Sequence, residues 1–227
     1  MSVAGLSKNP PPRFCNIWNV GAVTSRNRKI LPLVLASASR SRAALLSGAG
    51  VEFSQDPADI DEAALKDTMT LAGDSGAPIA NALAVAKARL VSSRQPGCLV
   101  IGADQMLECD AAWFDKPEDM AAARQALRML RGQTHTLLAS VCVVQDDVVL
   151  WSHDEAAHMT MRSFSDEFLS EYLEAAGARV LQSVGAYQLE GLGAQLFERI
   201  DGDYFTILGL PLLPLLRFLR KEGALIS

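Results

Sequence analysis

The residues best suited to chemistry follow a short apolar run early in the chain. Residues 31–36 predict a strand, and two hydroxyls and two guanidiniums follow it: Ser37, Ser39, Arg40 and Arg42. A helix is predicted to begin at the same point. Hydroxyls, guanidinium donors and the N–H groups of a helix N-terminus all favour anions. The junction therefore predicts a polyphosphate receptor, provided that other segments supply metal-binding acids and a second cation.

A second apolar run leads directly into a carboxylate. Residues 99–103 predict a buried strand, and Asp104 follows them. Because ligands of open α/β sheets bind beyond the carboxyl ends of strands, Asp104 is well placed to hold a hydrated Mg²⁺ or to orient a water molecule. An aspartate that caps a turn is the alternative, and this feature alone does not separate the two.

Further carboxylates lie in the acidic group Asp59, Asp61 and Glu62, which has no basic neighbour in the sequence. If the segment is extended, Asp59 and Asp61 share one face and Glu62 lies on the other. Clustered carboxylates fit a hard divalent cation, which prefers oxygen ligands. A solvated acidic turn is the alternative.

Two lysines could supply the second cation. Lys116 directly precedes Pro117, the predicted first residue of a helix, where a phosphate would meet both an ammonium and a helix N-terminus. Lys87 belongs to another predicted helix. It lies beside the inner face of that helix, which is formed by Ile79, Leu83, Ala86 and Leu90. Either lysine alone is more often a surface charge, so the argument depends on what surrounds them.

The elements that must position these residues alternate between strand and helix. Extended segments are predicted at 31–36, 53–60, 99–103, 134–144 and 148–162, and the last two are predicted to pair around a turn at 145–147. Helices are predicted at 42–49, around 79–90, from Pro117 through Leu130, at 166–176 and at 211–222. This alternation indicates one α/β domain with a mixed, twisted sheet and flanking helices.

Charge and composition narrow the partners. Five of the 21 Lys and Arg residues lie in the first 30 residues, and all 26 Asp and Glu residues lie after them. An acidic body argues against nucleic-acid binding, and the absence of a long apolar run predicts no membrane span. Four scattered cysteines favour reduced thiols and a cytoplasmic setting.

The first 29 residues are set apart by their composition. They include the run Asn9-Pro10-Pro11-Pro12 and show no clear hydrophobic period. We expect residues 1–29 to form a disordered extension and residues 30–227 to form the domain. An organelle transit peptide and a start codon placed too far upstream are the alternatives.

Ten short motifs occur in one order along the body of the chain: Ser37-x-Ser39-x-x-Arg42, Asp59-Ile60-Asp61-Glu62, Lys87-Ala88, Gly102-Ala103-Asp104, Lys116-Pro117, Gly132-x-Thr134-His135, Gly185-Ala186-Tyr187, Glu190-Gly191-Leu192-Gly193, Ile200-Asp201-Gly202-Asp203 and Gly209-Leu210-Pro211-Leu212. With these motifs the chain resembles the Maf-like nucleotide pyrophosphatases. The resemblance implies a mixed α/β fold with two lobes around a nucleotide cleft. It also implies hydrolysis of a nucleoside triphosphate, often a non-standard one, to monophosphate and pyrophosphate with Mg²⁺ or Mn²⁺. The implied partner is a small-molecule nucleotide, and a homodimer is left open.

The resemblance implies roles for the residues already selected. Ser37, Ser39 and Arg42 would hold the triphosphate, while Lys87 and Lys116 would neutralise charge on the departing pyrophosphate. Such phosphoryl chemistry depends mainly on positioning and electrostatic stabilisation.

The implied metal site combines carboxylates from two segments. Asp104 would be a metal ligand and the base that orients water at the α-phosphorus. Glu62, together with Asp61, would complete the metal shell.

Two residues bear on the base of the nucleotide. At positions 105 and 190 the chain has Gln105 and Glu190, and in this it resembles the family branch that acts on 7-methyl-GTP. The Glu190 carboxylate can accept hydrogen bonds from the donor pair of guanine. Ser41, however, stands where that branch has a Trp. A dTTP/UTP pyrophosphatase is the alternative, as is a nucleotide-binding regulator of septum formation with little turnover.

The chain departs from the family pattern near two proposed cations. Ser39-Arg40-Ser41-Arg42-Ala43 stands where the family has Ser-Pro-Arg-Arg, or Ser-Pro-Trp-Arg-Arg in one branch, so one arginine of the phosphate clamp is missing or displaced to Arg40. Asp115-Lys116-Pro117 replaces Gly-Lys-Pro and places an acid beside Lys116. Lower activity or altered phosphate geometry would follow.

Overall fold

The computed structural model describes residues 31–74 and 76–226. They form a mixed α/β fold around one seven-stranded sheet, with strand order β2-β1-β3-β5-β6-β7 and β4 paired to β3. The strands are β1 (Leu33–Leu35), β2 (Ser54–Gln55), β3 (Leu99–Cys109), β4 (Ala112–Phe114), β5 (Thr134–Gln145), β6 (Val148–Met161) and β7 (Phe197–Asp201). β1 is parallel to β2 and β3, and the other pairs are antiparallel. The predicted mixed sheet is confirmed.

Within residues 31–74 and 76–226, seven α-helices flank this sheet. They are α1 (Arg40–Gly48), α2 (Glu62–Leu71), α3 (Gly76–Ser92), α4 (Met120–Leu130), α5 (Asp166–Ala176), α6 (Tyr204–Ile207) and α7 (Leu212–Lys221). Three short 3₁₀ segments, Gly177–Gln182, Val184–Ala186 and Leu192–Leu196, connect α5 to β7. No helix in the described part of the chain is long and apolar enough to cross a membrane. The prediction for residues 1–29 lies outside the described residues.

The central strand β3 separates two differently covered faces, because its side chains alternate. Met106 packs with Ile79 and Leu83 of α3 on one face. The opposite face carries two cores. One joins Ile101 and Val143 to α1 and α7, through Leu46, Leu215 and Leu219. The other joins Leu107 and Met159 to α4 and α5, through Leu127 and Leu169. Two cores on one sheet agree with the predicted two-lobed fold.

Several predicted elements are confirmed closely. The hairpin of β5 and β6 turns at Asp146 and Asp147, which both have positive φ, as a two-residue hairpin turn requires. Helix α5 spans the predicted residues and ends at Gly177. Helix α7 follows Pro211, which stands at its N-cap position.

Other predicted boundaries are wrong. The strand predicted at 99–103 continues to Cys109, since β5 pairs with it as far as Glu108, and Asp104 therefore lies inside a strand rather than beyond its end. The helix predicted from Pro117 begins at Met120, because the Asp119 carboxylate caps it by accepting from the N–H of Ala122 at 2.7 Å. Lys116 consequently does not lie at a helix N-terminus.

The inner face of α3 is rotated from its predicted position. Leu90 is 37% exposed, whereas Lys87 and Val91 are buried. Only residues 54–55 of the predicted extended segment 53–60 pair as a strand. Glu62 belongs to a helix rather than to a strand face.

A buried histidine ties β5 to the segment that precedes the last 3₁₀ helix. The His135 Nε2 atom and the Tyr187 hydroxyl share a hydrogen bond of 2.7 Å, and both side chains are buried. Burial lowers the pKa of His135 to about 4. Its Nδ1 atom has no hydrogen-bond partner among the described residues, so the neutral ring is strongly favoured in the folded state.

We expect acid to weaken the fold through His135. In the unfolded chain the imidazole binds a proton near pH 6.5, but in the folded chain only near pH 4, so stability present above 6.5 is lost as the pH falls towards 4. The shift corresponds to a loss on the order of 3 kcal/mol. Urea unfolding between pH 7.5 and 4 measures it. His135→Gln should show a shallower loss, and the partly exposed His153→Gln serves as control. Equal slopes in all three proteins would contradict this prediction.

Candidate active site

Three charged side chains from three elements meet on the α3 face of the sheet. The Lys87 ammonium contacts Asp104 Oδ1 at 2.5 Å and Glu62 Oε1 at 2.8 Å. Asp104 lies in the middle of β3, Lys87 in the second half of α3, and Glu62 at the first position of α2. Lys87 and Asp104 are buried, whereas Glu62 is half-buried. Their contact depends on how closely α3 approaches β3.

A glycine permits that close approach. A Cβ atom on Gly102 would lie 2.1 Å from the Ala84 carbonyl oxygen and 2.8 Å from the Ala88 Cβ atom. The helix backbone therefore rests directly on β3 at this point. Since Asp104 follows Gly102 by two residues, it shares the same strand face. Lys87, three residues after Ala84, lies close enough to pair with it.

A second cation is buried on the other side of β3. Arg42 donates from Nη1 to Ser37 Oγ at 3.1 Å and to the Ala103 carbonyl at 2.8 Å. Its Nε atom donates to the Gly209 carbonyl at 2.8 Å. All three acceptors are neutral, and Nη2 makes no hydrogen bond to any residue in the described ranges. A buried guanidinium with free donors and no directly bonded carboxylate is suited to bind an anion.

The electrostatic surroundings of Arg42 link it to the ion pairs. Burial lowers the pKa of the Arg42 guanidinium, and the Asp104 and Glu62 carboxylates act in the opposite direction. Two cations and two carboxylates thus interact around residues 103–104 of β3. The structure therefore brings together Arg42, Lys87, Asp104 and Glu62, four of the residues selected from the sequence, while their roles stay predictions.

The hydroxyls predicted to bind phosphate line the turn between β1 and α1. Ser39 is the N-cap of α1 and accepts from the Arg42 N–H at 3.4 Å. Ser37 is buried and accepts from Arg42 Nη1 and from the Ser39 N–H. Arg40 is exposed. The structure therefore gives Arg42, not Arg40, the buried position beside Ser37.

Gln105 faces the opposite side of the sheet from Asp104. Its Nε2 atom donates to the Thr206 and Ile207 carbonyls at 3.0 and 3.1 Å. These contacts hold α6, and with it the turn at Gly209 whose carbonyl binds Arg42. In this structure Gln105 supports the Arg42 site, and its predicted contact with the nucleotide base stays a prediction.

Three predicted site residues lie outside the cluster. Asp61 is exposed and caps α2, where its carboxylate accepts from the Ala64 N–H at 3.0 Å. Lys116 is exposed in the loop between β4 and α4. Glu190 is exposed in the turn that precedes the 3₁₀ segment Leu192–Leu196. Their predicted roles require a ligand to reach them.

Sequence reasoning did not select two residues that support the cluster. Gln55 donates from Nε2 to the Ser37 carbonyl at 2.6 Å and so fixes the turn after β1. The Gly209 carbonyl anchors Arg42 from a backbone with φ of 89°, a conformation that favours glycine. The motif Gly209-Leu210-Pro211 was a visible signal for the second residue, but Gln55 had none.

The donor set partly fits a divalent metal. Glu62 and Asp104 already share one cation, the Lys87 ammonium, and two carboxylates completed by substrate phosphates are a usual environment for Mg²⁺. No group of three or more His, Cys, Asp or Glu side chains in residues 31–74 and 76–226 is arranged to hold a metal. The fit therefore covers Glu62 and Asp104 but not Asp61.

Sequence comparison finds relatives that are about half identical to this chain. A nucleoside triphosphate pyrophosphatase of Paramagnetospirillum magneticum is 54% identical over 193 residues, 85% of this chain and 100% of the relative. A 7-methyl-GTP pyrophosphatase of Brucella abortus is 52% identical over 190 residues, 84% of this chain and 96% of the relative. A 7-methyl-GTP pyrophosphatase of Rhizobium meliloti is 50% identical over 193 residues, 85% and 97% of the two chains.

A family profile gives the same result over almost the whole described region. The profile of the Maf-like proteins matches residues 32–222, which include every member of the charged cluster. The resemblance noted from ten short motifs is thereby confirmed, and the chain belongs to the Maf-like protein family.

Proposed function

We propose that this protein is a pyrophosphatase that hydrolyses a nucleoside triphosphate to the monophosphate and pyrophosphate. The observation that carries the proposal is the buried Arg42 guanidinium, with Nη2 free, within the electrostatic reach of the Lys87–Asp104–Glu62 cluster. An anion receptor beside a carboxylate pair is what cleavage of a phosphoanhydride needs. The names of the relatives support the same reaction.

The turn from β1 to α1 is the proposed phosphate clamp. Arg42 can offer Nη2 to a phosphate oxygen without giving up its bonds to Ala103 and Gly209. Ser37 and Ser39 add hydroxyls, and α1 adds its N-terminal N–H groups. Because the guanidinium is already held in place, little reorganisation accompanies phosphate binding.

Asp104 is the proposed acceptor of the proton from the attacking water. Its carboxylate is buried and held on one oxygen by Lys87, which leaves the second oxygen for water. Lys87 would stabilise negative charge that develops on the phosphates, and Lys116 would approach the departing pyrophosphate from its exposed loop. Both roles are electrostatic, as is usual for phosphoryl transfer.

Glu62 and Asp104 are the residues that would hold Mg²⁺ or Mn²⁺. When bound, the cation would polarise the phosphate oxygens and offset their charge. The Lys87 ammonium contacts both Glu62 of α2 and Asp104 of β3, so the two carboxylates already lie close together.

The proposed substrate is 7-methyl-GTP. Glu190 is the residue that carries this choice, because an exposed carboxylate can accept from both donors on the edge of guanine and favours a cationic methylated ring. Two of the relatives described above bear the name 7-methyl-GTP pyrophosphatase.

We also infer a cytoplasmic location. Cys98, Cys109 and Cys142 are free thiols, and burial raises the pKa of Cys142 to about 12. Unpaired thiols are typical of proteins in a reducing compartment.

A substrate panel tests the function directly. Purified protein with Mg²⁺ or Mn²⁺ should release pyrophosphate from nucleoside triphosphates, with the highest kcat/KM for 7-methyl-GTP among 7-methyl-GTP, GTP, dTTP and UTP. Pyrophosphate release without a preference for methylated guanine would support the proposed reaction but contradict the proposed substrate. Nucleotide binding by calorimetry with no pyrophosphate from any substrate would contradict the proposed reaction.

Replacing the proposed base should stop turnover while the protein still binds nucleotide. We expect Asp104→Asn to lower kcat at least about a hundredfold, since proton transfer to a positioned carboxylate contributes that much or more. Calorimetric affinity should change far less. Glu108→Gln, a carboxamide change four residues along the same strand face, is the matched control. Retained turnover in Asp104→Asn would remove Asp104 from the chemistry.

Replacing Glu190 should change which base is preferred. Glu190→Gln is expected to lower the ratio of kcat/KM for 7-methyl-GTP over dTTP about tenfold, because a hydrogen bond to a charged acceptor is exchanged for a neutral one. Glu198→Gln, an exposed carboxylate on β7, controls for the loss of surface charge. An unchanged substrate ranking would show that Glu190 does not read the base.

A further inference from the structure

Helix α2 presents a narrow stripe to the rest of the protein. Glu62, Leu65, Lys66 and Met69 are its half-buried residues, and all the others in the helix are exposed. Their spacing of three and four residues places them on one face. No residue of α2 is fully buried. The helix is therefore attached by two apolar side chains and two charged ones, which is a weak attachment for an element that carries a site residue.

The apolar half of the stripe contacts the α3 side of the sheet. Leu65 and Met69 pack against the cluster of Ile79, Leu83 and Met106, and Trp113 of β4 packs against the same cluster. Helix α2 and strand β4 thus pack against one shared apolar cluster. The contacts of Leu65 and Met69 hold the helix against the protein. They do not fix its rotation or its position along its own axis, because half-buried aliphatic packing is not directional.

The charged half of the stripe supplies direction. Glu62 pairs with the buried Lys87, and one turn later Lys66 pairs with Asp115 in the loop after β4. Lys66 has 24% of its side chain exposed and Asp115 has 72%. Asp115 directly precedes Lys116 in the chain. One helix turn therefore spans the distance between the carboxylate cluster and the Lys116 loop.

We propose that Lys66 and Asp115 are positioning residues that form a latch between α2 and the loop carrying Lys116. The latch holds Glu62 against Lys87 and keeps the Lys116 loop beside the site, so its role in turnover rests on the function proposed above. It does this by fixing two weakly held segments to each other, rather than by touching the nucleotide.

The latch has a second electrostatic consequence. Asp115 is an acid beside the proposed cation Lys116, and an unpaired carboxylate there would weaken the attraction of Lys116 for phosphate. Pairing with Lys66 neutralises Asp115. The departure from Gly-Lys-Pro noted in the sequence is thus balanced by a residue 49 positions earlier.

Exposed ion pairs add little to global stability, but they can decide the population of a locally open segment. The latch should therefore affect α2 and turnover while leaving the melting temperature almost unchanged. It should also weaken in high salt, because charges exposed to solvent are screened. These expectations separate a latch from a structural ion pair.

A charge exchange tests the latch. Lys66→Glu and Asp115→Lys should each lower kcat/KM about fivefold, and the double variant should recover to within about twofold of the original protein. Asp67→Lys, on the exposed side of the same helix, is the matched control and should have no such effect. In 1 M KCl, kcat/KM of the original protein should approach the values of the single variants measured in the same salt, because the ion pair is screened in the original protein and absent from the single variants.

Hydrogen exchange provides a readout that does not depend on turnover. Amides of residues 63–71 should exchange about fivefold faster in each single variant, and the double variant should regain protection. Single variants with unchanged exchange, or a double variant without recovery, would overturn the latch. A melting temperature that falls in step with activity would overturn it as well. If no nucleotide yields pyrophosphate, the proposed function fails, and the exchange data alone decide the latch.

Discussion

The contact between Lys87 and Asp104 is the constraint on which the rest of the site depends. Burying an ammonium and a carboxylate is unfavourable unless each finds the other, and removing either would leave the partner charge buried without compensation. The pair forms because Gly102 lets α3 lie directly on β3. Glu62 then joins from α2, so the first position of a weakly attached helix is set by a cation on a firmly packed one.

Strand β3 serves both faces of the sheet with three consecutive residues. The Ala103 carbonyl accepts from Arg42, the Asp104 side chain pairs with Lys87 on the α3 face, and Gln105 holds α6 on the other face. This arrangement is possible because the side chains of adjacent strand residues point to opposite faces of the sheet. Arg42 further joins β3 to the turn at Gly209. The proposed phosphate clamp and the Asp104 carboxylate are thereby both held by β3.

Much of the fold could be predicted because local patterns were strong. Alternating runs gave the hairpin of β5 and β6, and the glycine after residue 176 marked the end of α5. The end of β3 could not be predicted, since Asp104 interrupts an apolar run and only the facing Lys87 makes its burial favourable. The start of α4 was missed because Pro117 is a good first helical residue, whereas the Asp119 cap determined the boundary.

The sequence by itself determined the residue types and the order of motifs that place this chain in the Maf-like family, since those depend only on neighbours along the chain. It also determined that several cations and carboxylates were available for one site. Only the tertiary structure decided how they combine. In the folded protein Lys87 lies on the buried face of α3, Asp61 caps α2, and Asp115 pairs with Lys66. The physical reason is that pairing of charges depends on distance through space, and these partners lie 17 to 49 residues apart in the chain.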